Sequence, residues 1–431
     1  MSGADTGFML ICAALVMLMT PALGFFYGGL GRRKNVVNNL FTSYVCLGIG
    51  AVMWFIMGYS LCFGGDGKLF GDFSKAFLNG ITPNTPFSDE GSTYSELVWV
   101  GFQMTFAMIT TALLTGAVAG RMKFKSLFIF LIVWSVVVYY PLAHMVWGGG
   151  LLGLGFGNLG SIDFAGGNVV HISSGITALV LCIILGKRKG YEKGGYKVHN
   201  IPFVALGAGV LWFGWYGFNA GSSGLADGLA AHAFMTTSIA AGAAMLSWML
   251  IDVIKTGKAT LVGASTGLVI GLVAITPGAG FVPLWAALII GILVSPISFF
   301  MISVIKKKIG YDDALDVFGC HGAGGIWGGI ATGLFANPEI SGWEHGYGLF
   351  YNKSVEYVGD EGTVTYNAAT QFLAQLGSIG FTIMWAVVGA VICYFVCRLL
   401  GPIKATEREQ AIGMDKSEHD EEAYPSFNGL D

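Results

Sequence analysis

Two stretches decide how this chain folds: GGNVVHISSGITALVLCIILG at 166–186 and DVFGCHGAGGIWGGIATGLF at 316–335. Each is apolar, glycine-rich and long enough to enter a bilayer. Each also carries one histidine near its start, His171 and His321. An ionisable group at that depth is costly and by default marks a conducting or proton-handling path. One such group in each half of the chain suggests a single site built by both halves.

The composition around them agrees with a membrane reading. Of 431 residues, 54% are hydrophobic and 11% charged, with a mean hydropathy of +0.67. Soluble domains carry about 25% charged residues. The 66 glycines suit close helix packing, because small residues let backbones approach where lipid supplies no hydrophobic drive. A formal net charge of −3 gives no sign of a nucleic-acid partner. The seven cysteines fall mostly inside apolar runs and in no disulfide or zinc spacing, so they read as packing residues. The N-terminal MSGADTGFMLICAALVMLMTPALGFFYGGL lacks a basic leader and is expected to be the first span rather than a signal peptide.

Eleven apolar runs reach spanning length, close to 8–31, 40–64, 96–120, 126–147, 168–186, 201–220, 230–254, 260–277, 283–305, 319–336 and 372–400. Basic residues sort by loop. Arg32, Arg33 and Lys34 follow the first span; Arg121, Lys123 and Lys125 follow the third. Lys187, Arg188, Lys189, Lys193 and Lys197 follow the fifth. Of the 23 basic residues, all but Lys68, Lys75 and Lys353 follow odd-numbered spans. The positive-inside rule then puts the N-terminus outside and the C-terminus in the cytoplasm. The expected fold is an all-α polytopic membrane domain over 1–404, with a cytoplasmic tail at 405–431. The tail's run of acids reads by composition as solvated chain.

His171 near the start of span five and His321 near the start of span ten divide the spans into halves of five, 8–187 and 201–336. An odd number makes equivalent helices antiparallel. That is the arrangement of an inverted repeat, whose path lies at the interface of the halves. The run at 372–400 is additional. In the two long outer loops, 65–95 and 337–371, and at their edges, Tyr94, Trp99, Trp343 and Tyr347 suit an interfacial belt.

Other polar groups at depth are few. No lysine or arginine lies inside a span, and no ring of carboxylates could hold a hydrated cation. Aromatics stand at the outer boundaries instead. Phe102 and Phe106 are four apart and share a helix face. Trp147 closes AHMVWGGG, Trp215 and Phe218 flank a glycine, and Ser222 follows. Taken singly, these have ordinary readings: a core phenylalanine pair, an interface tryptophan, a capping serine, a satisfied packing histidine. Asp163, just before span five, reads as a helix N-cap. His144 and His232 read as structural. Taken together, the aromatics suit a small cation that donates hydrogen bonds, since each aromatic face attracts one by about 0.5–2 kcal/mol.

GFQMTFAMIT, AHMVWGGGLL, DFAGGNVVHI, WYGFNAGSSG, DDALDVFGCHGAGG and EREQAIGMD occur in that order over nearly the whole chain. With them the sequence closely resembles the ammonium transporter/methylammonium permease/Rhesus (Amt) family, in its bacterial–archaeal branch. The resemblance implies a homotrimer in the plasma membrane, in contact with lipid, with one narrow pore per subunit for ammonium or methylammonium. It implies that Phe102, Phe106, Trp147 and Ser222 recruit the ion, that Phe106 and Phe218 form a stacked gate, and that His171 and His321 line the lumen as a twin-histidine pair. Trp215 would be lumen wall and Asp163 a supporting acid. It also implies a tail that packs on the cytoplasmic face, where a PII-type (GlnK) regulatory protein docks. Two positions depart from the pattern: Cys320 stands where the family varies, and Asp420 follows His419 where a glycine is usual.

The expected activity is transport. Ammonium is bound at the mouth and deprotonated near the gate; ammonia then passes the histidines, which relay or hold the proton. No cofactor or metal is expected, and no enzyme activity. A neutral ammonia channel of the Rhesus type is one alternative. An ammonium sensor on the same fold is another, although a sensor is expected to carry an appended signalling domain. A membrane enzyme with the histidines as haem or metal ligands is disfavoured, because neither has a carboxylate beside it.

Overall fold

The computed structural model describes residues 1–88, 93–155, 157–191, 198–359 and 362–424. Lys193, Lys197 and the last tail acid, Asp431, lie outside the described residues. Among those described, ten helices are long and apolar enough to cross a membrane. They are α1 (Gly3–Leu30), α2 (Arg33–Phe63), α3 (Glu96–Val118), α4 (Phe124–Trp147), α5 (Gly167–Leu185), α6 (Ile201–Gly221), α7 (Gly228–Thr256), α8 (Leu261–Gly278), α9 (Leu284–Ile309) and, last, α11 (Ala368–Leu399). Between the final two runs α10, in which Phe318–Gly322 continues into Ala323–Phe335. Its glycines dilute its hydropathy, so the run expected at 319–336 is a helix of the bundle but falls outside the ten.

Helices start where polar residues interrupt the apolar runs. Ser95, Asn200, Asp227, Thr260 and Asn367 each accept a backbone N–H of the turn they open. Hydropathy does not mark the interior. The most apolar of the ten, α9, is only 28% buried, whereas the less apolar α8 is 83% buried. The interior is built by α3, α5, α8 and α10. Small residues permit this: a Cβ on Gly207 of α6 would stand 2.5 Å from the backbone nitrogen of Phe26 in α1, so only glycine lets those helices touch.

The all-α expectation meets one exception. The loop after α10 holds an antiparallel hairpin, β1 (Ser354–Gly359) and β2 (Gly362–Asn367), with Tyr357 opposite Val364. Alternation of β-branched and polar residues favours strands there.

The tail packs on the helix bundle as far as Tyr424, with Glu409, Asp415 and Glu418 engaged and Glu407, Asp420, Glu421 and Glu422 left exposed. A short helix, α12 (Glu407–Ile412), opens with a capping box between Thr406 and Glu409. Lys123 pairs with Glu409 at 2.9 Å, and Lys189 donates its backbone N–H to Gln410 at 2.9 Å. Arg32 and Lys34 bond the carbonyls of Gln410 and Ala411 at the end of α12. Asp415 accepts the N–H of Asn38 at 2.8 Å, and Glu418 that of Phe124 at 2.9 Å. Composition displays the tail's acids but not the basic loops that meet them. Asp420, at the position where a glycine is usual, holds φ +56° and pairs with Lys416 at 2.5 Å.

Candidate functional site

Each histidine sits in a π-turn that opens its helix, His171 in Gly167–Ile172 and His321 in Phe318–Gly322. Such turns widen the helix and re-aim side chains, and they recur at functional sites. Here they bring His171 Nδ1 within 3.2 Å of His321 Nδ1, with ring centroids 5.3 Å apart. A hydrogen bond at that distance needs one Nδ1 to donate and the other to accept. His171 Nε2 is buried and has no hydrogen-bond partner among the described residues.

Two glycines stand at this crossing, each four residues after a histidine, and the approach depends on Gly175. A Cβ on Gly175 would stand 2.5 Å from the Cα of Gly322 and 2.9 Å from the carbonyl carbon of His321. A Cβ on Gly325 would stand 3.0 Å from the Cβ of His171.

Beside the pair, the lumen is lined by Leu23, Ile109, Leu113, Leu211 and Val269, with Trp215. Trp215 turns its N–H away, to Thr276 Oγ1 at 2.9 Å, and lays its ring 5.5 Å from His171. The free space is about 10 Å³, at the limit for one water, so no hydrated ion fits. Phe106 and Phe218 stack directly over this lumen, centroids 4.0 Å apart and 11° from parallel.

Beyond the phenylalanines lies a cavity of about 320 Å³ bounded by Phe106, Trp147, Ser222 and Asp163. Trp147 meets Phe106 edge to face at 6.0 Å and donates its indole N–H to the backbone carbonyl of Asp163 at 2.9 Å. The Asp163 carboxylate caps α5, accepting the N–H groups of Gly166, Gly167 and Asn168 at 2.8, 2.6 and 2.7 Å. The Ser222 hydroxyl donates to the Phe218 carbonyl at 2.8 Å, which leaves its lone pairs for an N–H donor. Phe102 stands behind Phe106, centroids 4.9 Å apart, fully buried and outside the cavity lining. A second cavity of about 350 Å³ opens on the other side and reaches His321, Cys320, Tyr27 and Asp316. The histidine pair therefore lies between two open vestibules.

Residues that sequence reasoning missed also line the aromatic mouth: Gln103, Phe164 and Phe281, together with Trp99 and Trp343, which had read as belt residues. Gln103 and Phe164 each adjoin a singled-out residue in the chain. Phe281 carries no local signal. His144 and His232 hold backbone carbonyls, the former those of Cys62 and Gly67 and the latter that of Val282.

Residues 7–424 match the model of the Ammonium Transporter Family. The chain is 43% identical to the ammonium transporter of Bacillus subtilis over 98% of its own length and 99% of the relative's. It is similar in structure to Mep2 of Candida albicans, with TM-score 0.83, 32% identity, and 94% and 87% of the two chains covered. A sensor Amt protein shares the fold at TM-score 0.81 and 24% identity, over 96% of this chain and 98% of that one.

Proposed function

This chain belongs to the ammonium transporter family, and we propose that it moves ammonium across the plasma membrane by splitting the ion into ammonia and a proton. The observation that carries this reading is the histidine contact of 3.2 Å beneath the phenylalanine stack of 4.0 Å. Moving a bare unit charge into such a lumen costs on the order of tens of kcal/mol in the idealised limit. Ammonium escapes that cost by giving up its proton; potassium has no proton to give.

The ion is recruited in the outer cavity. Trp147 and Phe106 offer their faces, Ser222 accepts an N–H, and Phe102 backs Phe106. Asp163 acts through structure, capping α5 and holding Trp147 by its carbonyl. Phe106 and Phe218 separate the cavity from the lumen and open for ammonia. His171 and His321 then hydrogen-bond ammonia and relay the proton between them, with Trp215 as the wall. Neutral imidazole suits both tasks, having one donor and one acceptor nitrogen.

The same reading makes α10 the eleventh span and the two halves an inverted repeat. The matching π-turns, and the glycine four residues after each histidine, support the repeat. It places the N-terminus outside and the tail in the cytoplasm, consistent with the basic loops. The exposed apolar faces of α7 and α9, including Leu246, Leu250, Leu288 and Ile292, are available to lipid or to neighbouring subunits of a homotrimer. The packed tail would offer a surface to a PII-type regulator.

The test is current recording on a supported membrane with pulses of ammonium, methylammonium and potassium. Ammonium alone, or ammonium with methylammonium, is expected to drive charge in the native protein. His171→Ala and His321→Ala are expected to lose ammonium-driven current or its selectivity over potassium. Survival of both properties in both variants overturns the relay.

A further inference from the structure

We infer that Trp343, carried by the loop after α10, is a further ion-recruiting residue of the outer mouth; this rests on the reading of that mouth as the recruitment site. Trp343 bounds the 320 Å³ cavity together with Phe106, Trp147 and Ser222. It also bounds a second, more peripheral cavity of about 360 Å³, which shares only Trp99, Ser222 and Trp343 with the first. Those three residues form the common wall. A cation moving from the peripheral space to the gate passes that wall, and its Ser222 oxygen already accepts an N–H in the proposed site.

The loop is built to hold this ring. Trp343 keeps 36% of its surface open, although its backbone is tied down closely. Its N–H donates to Ser341 Oγ at 3.1 Å, and its carbonyl accepts from the Tyr357 hydroxyl of β1 at 3.2 Å. Ser341 Oγ lies 2.6 Å from His345 Nε2, and His345 Nδ1 lies 2.8 Å from the Gly346 carbonyl. A carbonyl only accepts, so Nδ1 carries the proton and Ser341 donates to Nε2. The His345 ring stands edge-on to Phe281 at 4.7 Å, and Trp343 packs at 5.3 Å from Phe281 and 5.6 Å from Phe164. Phe164 directly follows Asp163, whose carbonyl holds Trp147. Trp147 and Trp343 are thus set by one connected scaffold.

A tryptophan needed only for packing would be covered by that scaffold. Here the scaffold supports part of the ring and leaves the rest open to the two cavities that lead to the stacked phenylalanines. Among aromatic side chains, indole attracts a cation most strongly. Trp343 is therefore a recruiting residue, and Ser341 and His345 are positioning residues that act through it.

The test uses the full chain in proteoliposomes, with supported-membrane current measured over a series of ammonium concentrations. Trp343→Ala is expected to raise half-saturating ammonium by about two- to thirtyfold, the range of one cation–aromatic contact, with maximal current within about twofold. Trp343→Phe is expected to recover most of the affinity. His345→Ala is expected to move half-saturation in the same direction as Trp343→Ala. A lowered maximal current with unchanged half-saturation in Trp343→Ala would mean a structural role and overturn the inference. So would an unchanged titration while the native protein gives saturable current. If the native protein itself gives no saturable ammonium current, the recruitment reading fails with it.

Discussion

Replacing Gly175 with alanine should separate the histidine pair. The added Cβ would stand 2.5 Å from the Cα of Gly322 and 2.9 Å from the carbonyl carbon of His321. Carbon atoms pack at about 3.5–4.0 Å, so α5 and α10 must part by roughly 1 Å. The obstacle is backbone of a neighbouring helix and cannot rotate aside. Overpacking of this kind costs about 1–3 kcal/mol, and the upper end applies here. The Nδ1 contact of 3.2 Å would then exceed the range of a hydrogen bond. Gly325→Ala is the internal control. Its Cβ would meet the His171 Cβ and Ile172 Cγ1 at 3.0 Å, which a shift of a few tenths of an ångström relieves. Alanine also recovers about 0.5–1 kcal/mol of helix preference over glycine, so Gly325→Ala should be close to neutral. Thermal unfolding in detergent and ammonium-driven current in proteoliposomes measure both effects. Gly175→Ala should unfold at clearly lower temperature and lose most of its current; Gly325→Ala should do neither. Native behaviour of Gly175→Ala, or a larger defect in Gly325→Ala, would refute the argument.

Three other outcomes follow from particular contacts. Asp163→Ala strips the acceptor from three buried N–H groups at the start of α5 and should cost about 2–4 kcal/mol, with Asp163→Asn recovering part of it in a thermal melt. Asp420→Gly removes a side chain from a left-handed position at φ +56°, which is worth about 1 kcal/mol, and gives up only an exposed Lys416 pair; the tail should resist limited proteolysis longer than the native one. Burial, partly offset by the bond to the Gly346 carbonyl, pushes the pKa of His345 down to about 4. Its unfolded value is about 6.5. The folded value is the lower one, so the loop has its full stability above about pH 6.5 and loses it as pH falls toward 4. Protection from hydrogen exchange at residues 341–346, relative to the intrinsic rate at each pH, should fall over that window, and His345→Gln should flatten the dependence.

Much of the site was legible because its chemistry conflicts with its surroundings. A histidine inside an apolar run is conspicuous in one dimension, and so is a Trp beside three glycines at a helix boundary. The histidines and the boundary tryptophans stood out that way, whereas the roles of the outer aromatics and of Phe106 with Phe218 came from the family resemblance, which the order of motifs along the chain supplied. Asp163 was readable as a cap because capping is local: its acceptor contacts span three to five residues.

What remained hidden depends on distance in sequence. Trp343 read as a belt residue because nothing near it in the chain reveals that Phe164, Phe281 and Ser222 surround it. Glu409, Asp415 and Glu418 of the tail read as solvated because their partners, Lys123, Asn38 and Phe124, lie almost 300 or more residues away. The sequence by itself determined that the chain enters the membrane many times, where basic loops gather, and which residues are out of place in apolar helices. Only the tertiary structure decided that two histidines 150 residues apart come within 3.2 Å of each other. That contact requires two π-turns and the missing side chain of Gly175 to meet at one crossing, and packing at a crossing is a property of two segments together, not of either alone.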